Sequence, residues 1–291
     1  MNASMQGGPV VVKFVGNRFS NQFKRLLALT CLVSTLCSLF QSSNASTLAI
    51  VPHKLVFLPP TKHENFSKKD LSKLATHDVV LIIDKSHSMS KKDCLSSQLK
   101  MCGTPLLAQL LPSYVSRWNW CREQTVDLAK KTFGFIPNAV KVVLFSGNCH
   151  TYENADSKTI EALFSENEPK GATKTTEALR QELDQYFERK NQSATSVKPL
   201  LIAVITDGCP DQPYQLRSTI IKASQQMTRP EEVSITFLQV GNDTQGSKLL
   251  TDLDENLVAQ NAQYDIVDVR PFSELRQIGL ARALVNEIAM K

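Results

Sequence analysis

Residues 78–88 read DVVLIIDKSHS, and the fold follows from them. Val79 to Ile83 is an unbroken apolar run, the pattern of a strand buried on both faces. It ends in Asp84, Ser86 and Ser88, three oxygen-bearing side chains at alternate positions. Polar groups placed directly after a buried strand are costly unless they serve a purpose. In open α/β sheets, ligands sit beyond the carboxyl ends of the strands, at the point where strand order reverses. The stretch therefore reads as a central strand whose end is built to hold a divalent metal.

The chain downstream alternates strand and helix. A helix is expected from Ser113 to Phe133 on the spacing of Val115, Trp118, Cys121, Val126, Leu128, Ala129 and Phe133. Gly134 and Pro137 stop it. Val140 to Phe145 is a second strand, closed by Ser146-Gly147. A short helix over 160–164 precedes the polar turn Lys170-Gly171-Ala172-Thr173-Lys174-Thr175, and a longer one spans about 176–189. Pro199 to Thr206 is another fully apolar strand, ended by Asp207-Gly208. Helix over 215–228, strand over 233–240, helix over 247–259, strand over 265–269 and a last helix over 272–290 complete the pattern. Such alternation implies an α/β fold: a doubly wound, mostly parallel sheet with helices on both faces.

Upstream, residues 1–45 contain Lys13, Arg18, Lys24 and Arg25 and no acid. Leu26 to Phe40 carries no charge, is short for a membrane span, and follows Lys24-Arg25. It fits the apolar core of a secretory signal, with Ser43-Asn44-Ala45 as a cleavage site. An exported protein is the expectation, whether periplasmic, cell-surface or secreted; the same segment, residues 26–40, could instead anchor the domain at a membrane. Residues 46–74 read as a linker, with one edge strand near Leu55–Leu58 and a short helix from Lys68, and residues 75–291 as the domain.

The net charge of +5 comes largely from this leader, since the remainder holds 29 basic and 28 acidic residues. Nothing in that balance supports nucleic-acid binding, and no Lys/Arg stripe with interleaved aromatics occurs. Seven cysteines include no Cys-x-x-Cys pair, which argues against a structural zinc module. Cys149, His150, Cys209 and His87 would form a thiolate–imidazole zinc site only if their segments met, and the simpler reading makes the two cysteines partly buried loop residues. Residues 89–113 have weak periodicity and read as a loop over the strand end. In an exported chain a disulfide is expected there, Cys102–Cys121 or Cys94–Cys121.

Asp84, Ser86, Ser88, Thr173 and Asp207 form the candidate metal set. Hydroxyls and carboxylates without a soft ligand suit a hard cation: Mg²⁺, or Mn²⁺ or Ca²⁺. In their order and positions, DKSHS, the Lys-Gly-Ala-Thr turn and the Thr-Asp-Gly strand end resemble the von Willebrand factor A domain with its metal-ion-dependent adhesion site. The resemblance covers about residues 75–291. It implies a strand order like 3-2-1-4-5-6, with Ser86, Ser88 and Thr173 supplying hydroxyls, and Asp84 and Asp207 binding directly or through water. It also implies a protein partner that completes the coordination with an Asp or Glu. Two positions depart from the family: His87 stands where a small residue is usual, and Ala172 where the family has glycine. His87 is expected to point to solvent. Two other functions stay open, a metal-dependent hydrolase and an accessory subunit of a ring-ATPase complex. No Gly-x-Ser-x-Gly, Walker-type or His-Glu-x-x-His motif supports catalysis.

Overall fold

The computed structural model describes residues 47–51, 54–58, 67–95, 114–133, 140–192, 197–208 and 210–290, all within the unit Thr47–Lys291. Among the described residues, strands β1 (Thr47–Val51) and β2 (Lys54–Leu58) pair only with each other, as an antiparallel hairpin. The stretch read as a linker thus carries two strands instead of one edge strand. Helix α1 (Lys68–Leu74) follows, its start closed by a reciprocal capping box between Ser67 and Asp70.

The main sheet has six strands. They are β3 (Asp78–Asp84), β6 (Val140–Phe145), β7 (Cys149–Ala155), β8 (Leu200–Thr206), β9 (Val233–Gln239) and β10 (Val267–Arg270). Two-residue strands β4 (Cys94–Leu95) and β5 (Tyr114–Val115) pair with each other, antiparallel. The helices are α2 (Arg117–Thr132), α3 (Ser157–Glu166), α4 (Thr175–Gln192), α5 (Pro213–Gln226), α6 (Thr244–Glu255) and α7 (Phe272–Met290). Across the sheet the order is β10-β9-β8-β3-β6-β7, parallel except for β7, which runs antiparallel to β6. Numbered within the sheet, that is the expected 3-2-1-4-5-6 order. The chain builds outward from β3 to one edge, then returns to lay β8 against its other side. The reversal point is therefore the crevice between β3 and β8.

The apolar runs of the central strands become intelligible from the two cores. Val79, Leu81 and Ile83 of β3 join Val142, Leu144, Leu201, Ala203 and Ile205 under α2, α3 and α7. The alternate residues Val80 and Ile82 join Val143, Phe145, Ile202 and Val204 under α4, α5 and α6. A strand with apolar residues at every position is needed because both faces are covered. Aromatic contacts tie the helices of the first core: Trp118 on α2 meets Phe164 on α3, and Trp120 meets Phe272 on α7. Side-chain oxygens of Ser116, Asp156 and Asp243 cap α2, α3 and α6. Near its middle α7 breaks at Gly279 (φ 75°, ψ 166°), where the freed Leu280 N–H donates to Gln124 Oε1 on α2.

Three expectations need correction. Strand β7 was not foreseen, because Cys149–Ala155 (CHTYENA) lies on an edge with most residues exposed and has no apolar period. Phe133, counted on the apolar face of α2, is 81% exposed, since the helix ends one residue earlier. Cys94 and Cys121 are free thiols buried in the same core, so neither candidate disulfide forms. Cys102, Cys209 and most of the 89–113 loop lie outside the described residues.

Candidate metal centre

The reversal point is where the polar strand ends meet. Pairing of Ile83 with Ile205 sets the end of β3 beside the end of β8, and Asp84 opposite Phe145 sets it beside the end of β6. Asp84, Ser86, Ser146 and Asp207 are all buried. After β3 the chain turns through a short 3₁₀ segment, His87–Ser90, which folds Ser88 back over Ser86. The hydroxyls of Ser86 and Ser88 lie 3.0 Å apart, and that of Ser88 donates to Asp207 Oδ1 at 2.8 Å. Because the Ser88 proton is committed to Asp207, the Ser86 hydroxyl is the donor to Ser88. A relay Ser86–Ser88–Asp207 thus joins two strand ends far apart in sequence.

Asp84 sits beneath this relay. Its Oδ1 accepts the Ser86 backbone N–H at 2.7 Å, and its Oδ2 accepts the Thr206 hydroxyl at 2.8 Å. Both donors are neutral. Burial and the nearby Asp207 charge push its carboxyl up to about 7, against the pull of those hydrogen bonds. A buried carboxylate without a charged partner is costly, and a cation beside it would relieve the cost.

The turn carrying Thr173 is held against the same point by its backbone. Lys170 N–H donates to Lys85 O, His87 N–H to Gly171 O, and Lys174 N–H to Ser146 O. Gly171 adopts φ +89°, and its Cα face lies over Ser146 and Gly147, so a left-handed backbone at close approach explains the glycine. On the other side of the turn, Thr173 N–H donates to Asp211 Oδ2 and Thr173 O accepts from Asp211 N–H. Thr173 is half-buried and faces no hydrogen-bond partner among those described for its hydroxyl. The turn is thus clamped to the ends of β3 and β6 and to the segment after β8. His87, as expected, is exposed. A polar cleft of about 540 Å³ opens beside Thr173, lined by residues that include Lys174, Glu177, Asp211 and Gln212.

One functional neighbour escaped the sequence reading. Arg117, the first residue of α2, is buried against the site. Its Nη1 donates to Asp207 Oδ2 at 2.7 Å, while Nε and Nη2 fork onto Asp93. Although burial pulls the other way, these bonds hold the Asp93 carboxyl below its ordinary range and the guanidinium above its own. A signal was present: a cation in the first turn of a helix opposes the helix dipole and needs an anion nearby.

The donor set fits a hard divalent cation. Hydroxyls of Ser86 and Ser88 and the carboxylates of Asp84 and Asp207 cluster at one point, with Thr173 on the adjoining turn, and none of them is a soft ligand. Among the described residues no group of three or more His, Cys, Asp or Glu could hold a metal; the candidate set differs in kind, being mostly hydroxyls.

Comparison with known proteins gives a family and several distant structural likenesses. No curated protein matches the chain. Among solved structures, an aerotolerance-related membrane protein from Bacteroides fragilis is 15% identical (TM-score 0.44), covering 74% of this chain and 100% of that one. BatB from Bacteroides thetaiotaomicron is 17% identical (TM-score 0.42; 74% and 98% covered). Manganese-loaded TRAP protein from Plasmodium vivax is 14% identical (TM-score 0.43; 74% and 73% covered). The family model of the von Willebrand factor type A domain matches residues 78–269, from the first residue of β3 to within β10. The chain belongs to the von Willebrand factor type A domain family.

Proposed function

We propose that this protein is a metal-dependent protein-interaction module. Ser86, Ser88 and Thr173 offer hydroxyls and Asp84 and Asp207 carboxylates to one divalent cation: Mg²⁺, or Mn²⁺ or Ca²⁺. When bound, the ion supplies positive charge and a coordination position for an Asp or Glu of a protein partner. The observation that carries the reading is the Ser86–Ser88–Asp207 relay lying over Asp84, whose donors among the described residues are all neutral. It gathers hard oxygen donors from two strand ends at the sheet's reversal point.

The chain's own residues divide the work. The neutral hydroxyls add no negative charge, and Asp84 and Asp207 bind directly or through water, so part of the ion's field remains for an entering carboxylate. Asp84 and Asp207 supply the negative charge that draws the ion in. The backbone clamps on the 170–174 turn keep Thr173 at the rim. The cleft beside Thr173, with Lys174 and Asp211 in its wall, would receive side chains flanking the partner's acid. Typical members of this family are adhesion and interaction modules, and no motif for catalysis is present, so a hydrolase is the weaker reading.

Residues 1–45 are proposed to direct export, and residues 75–291 to form the working domain. Among the described residues no helix is long and apolar enough to cross a membrane; residues 26–40 lie outside them. N-terminal sequencing of the mature protein should begin after Ala45, and an intact Met1 would show an uncleaved anchor instead. The function is tested by affinity capture from an extracellular fraction in Mg²⁺, with elution by EDTA. Partners should elute with EDTA from the wild type and be missing from Asp84→Ala/Ser86→Ala. Partners retained after chelation, or captured equally by the double variant, would reject the reading.

A further inference from the structure

We propose that Arg117 is a resident cation that shares Asp207 with the divalent ion, and thereby sets how loosely the ion is held and how much of its charge is left for an acidic ligand. The inference rests on the metal-dependent reading above and concerns one residue that reading does not use.

The geometry begins with Asp207. Arg117 Nη1 donates to its Oδ2 at 2.7 Å, and the Ser88 hydroxyl donates to its Oδ1 at 2.8 Å. Both oxygens are therefore engaged. Asp84, by contrast, accepts only from neutral donors among the described residues. The two carboxylates of the candidate centre are thus unequal: one is already paired with a full positive charge, and the other is not. A guanidinium does not give up its proton in a protein, so this charge is permanent.

The guanidinium is also fixed in place. Its Nε and Nη2 bind both oxygens of Asp93, and its backbone N–H donates to Lys91 O. Above it lies Gly241, in the left-handed region at φ +83°. A Cβ there would fall 2.5 Å from the Arg117 Cζ. Glycine at the end of β9 therefore leaves the room that the guanidinium fills. Three segments, after β3, after β8 and after β9, converge on this one side chain. At the start of α2 the helix dipole disfavours a cation, and the pairing with Asp93 and Asp207 offsets that.

The consequence is electrostatic. The Ser88 hydroxyl engages Asp207 Oδ1 and Arg117 engages Oδ2, so a divalent ion held by the Ser86 and Ser88 hydroxyls would share that single carboxylate with Arg117. Repulsion between them lowers the ion's affinity, and the portion of Asp207 charge drawn to Arg117 leaves the ion less neutralised. A less neutralised ion is a stronger acceptor for an incoming carboxylate. Arg117 is a positioning residue in this scheme, since it touches Asp207 and not the ligand.

The test is calorimetric titration of the full chain with Mn²⁺ alone. Arg117→Gln keeps an N–H for Asp207 but removes the charge, and should bind Mn²⁺ about tenfold tighter than the wild type. Arg117→Lys keeps the charge and should stay within about threefold of the wild type. The loss caused by Asp207→Asn should be several-fold larger in the Arg117→Gln background. If Arg117→Gln does not fold, judged by circular dichroism, the same change in an Asp93→Asn background removes the carboxylate left unpaired; that double variant should bind about tenfold tighter than Asp93→Asn alone. Folded Arg117→Gln with unchanged or weaker Mn²⁺ binding overturns the proposal, as does tightening by Arg117→Lys equal to that by Arg117→Gln. Either result leaves wild-type metal binding intact. A wild type that takes up no Mn²⁺ removes the metal-dependent reading itself, and this proposal with it.

Discussion

Replacing Asp84 by asparagine should make the metal-free protein more stable at pH 8, although it removes a residue at the heart of the candidate site. In the fold, burial and Asp207 raise this carboxyl from 3.8 to about 7. At pH 8 the group is ionised in both folded and unfolded chains, and the folded chain carries the penalty. At about 1.4 kcal/mol per pH unit, that penalty is about 4 kcal/mol. An amide accepts hydrogen bonds less strongly than a carboxylate, which returns about 1–2 kcal/mol. It need not lose a partner, since its oxygen can accept the Ser86 N–H while its NH₂ donates to a reoriented Thr206 hydroxyl. The net gain of about 2–3 kcal/mol corresponds to a Tm rise of about 5–10 °C for a domain of this size.

The sign with pH follows from linkage. Between the unfolded and folded pKa values the folded chain binds a proton that the unfolded chain does not. The wild type therefore gains stability relative to Asp84→Asn as pH falls from about 7 towards 4, and loses it as pH rises through 7. The assay is thermal unfolding of both proteins in EDTA from pH 5 to pH 8. Taking the difference between the two cancels every other titrating group. The variant should be the more stable at pH 8, and the gap should close by pH 5. A variant less stable than the wild type at pH 8, or a gap independent of pH, would refute the placement of Asp84 as a buried carboxylate without a charged partner.

Other consequences are simpler to check. Gly241→Ala combines a left-handed backbone with a Cβ pressed on the locked guanidinium of Arg117, and should cost about 2–4 kcal/mol in denaturant unfolding. Gly147→Ala meets nothing within 4 Å and should stay within about 0.5–1 kcal/mol of the wild type, the propensity difference alone. Burial pushes the Cys94 thiol up to about 12 and that of Cys121 well above its ordinary value. In native protein at pH 8 neither should be alkylated by iodoacetamide, and both should be after denaturation without reductant. Peptide mapping that finds Cys94 or Cys121 protected in the denatured, unreduced chain would show a disulfide.

Much of this architecture can be read from a few strong signals. The run Val79–Ile83 and the run Leu200–Ile205 are apolar at every position because both sheet faces are covered, and no amphipathic element can imitate that. Oxygen donors directly after those runs locate the reversal point, and Gly171 marks a turn that needs a left-handed residue. What escaped was decided by tertiary contact. Strand β7 is held by pairing to β6 and not by its own polar sequence. Phe133 obeys the helical spacing but falls past the end of α2. Cys94 and Cys121 pack as apolar side chains in one core, where compartment-based reasoning favoured a bond. Arg117 is one arginine among many until the fold brings Asp93, Asp207 and Gly241 around it.

The central claim is that hydroxyls from two separated segments and two buried carboxylates form one divalent-cation site. Its most direct test is Mn²⁺ titration followed by electron paramagnetic resonance of free ion, for the wild type, Ser86→Ala and Thr173→Ala. The account predicts one ion bound per wild-type chain, with affinity weakened at least about tenfold in each variant while apo thermal stability is kept. Wild-type protein that leaves all Mn²⁺ free, or variants that bind it as well as the wild type, would contradict it.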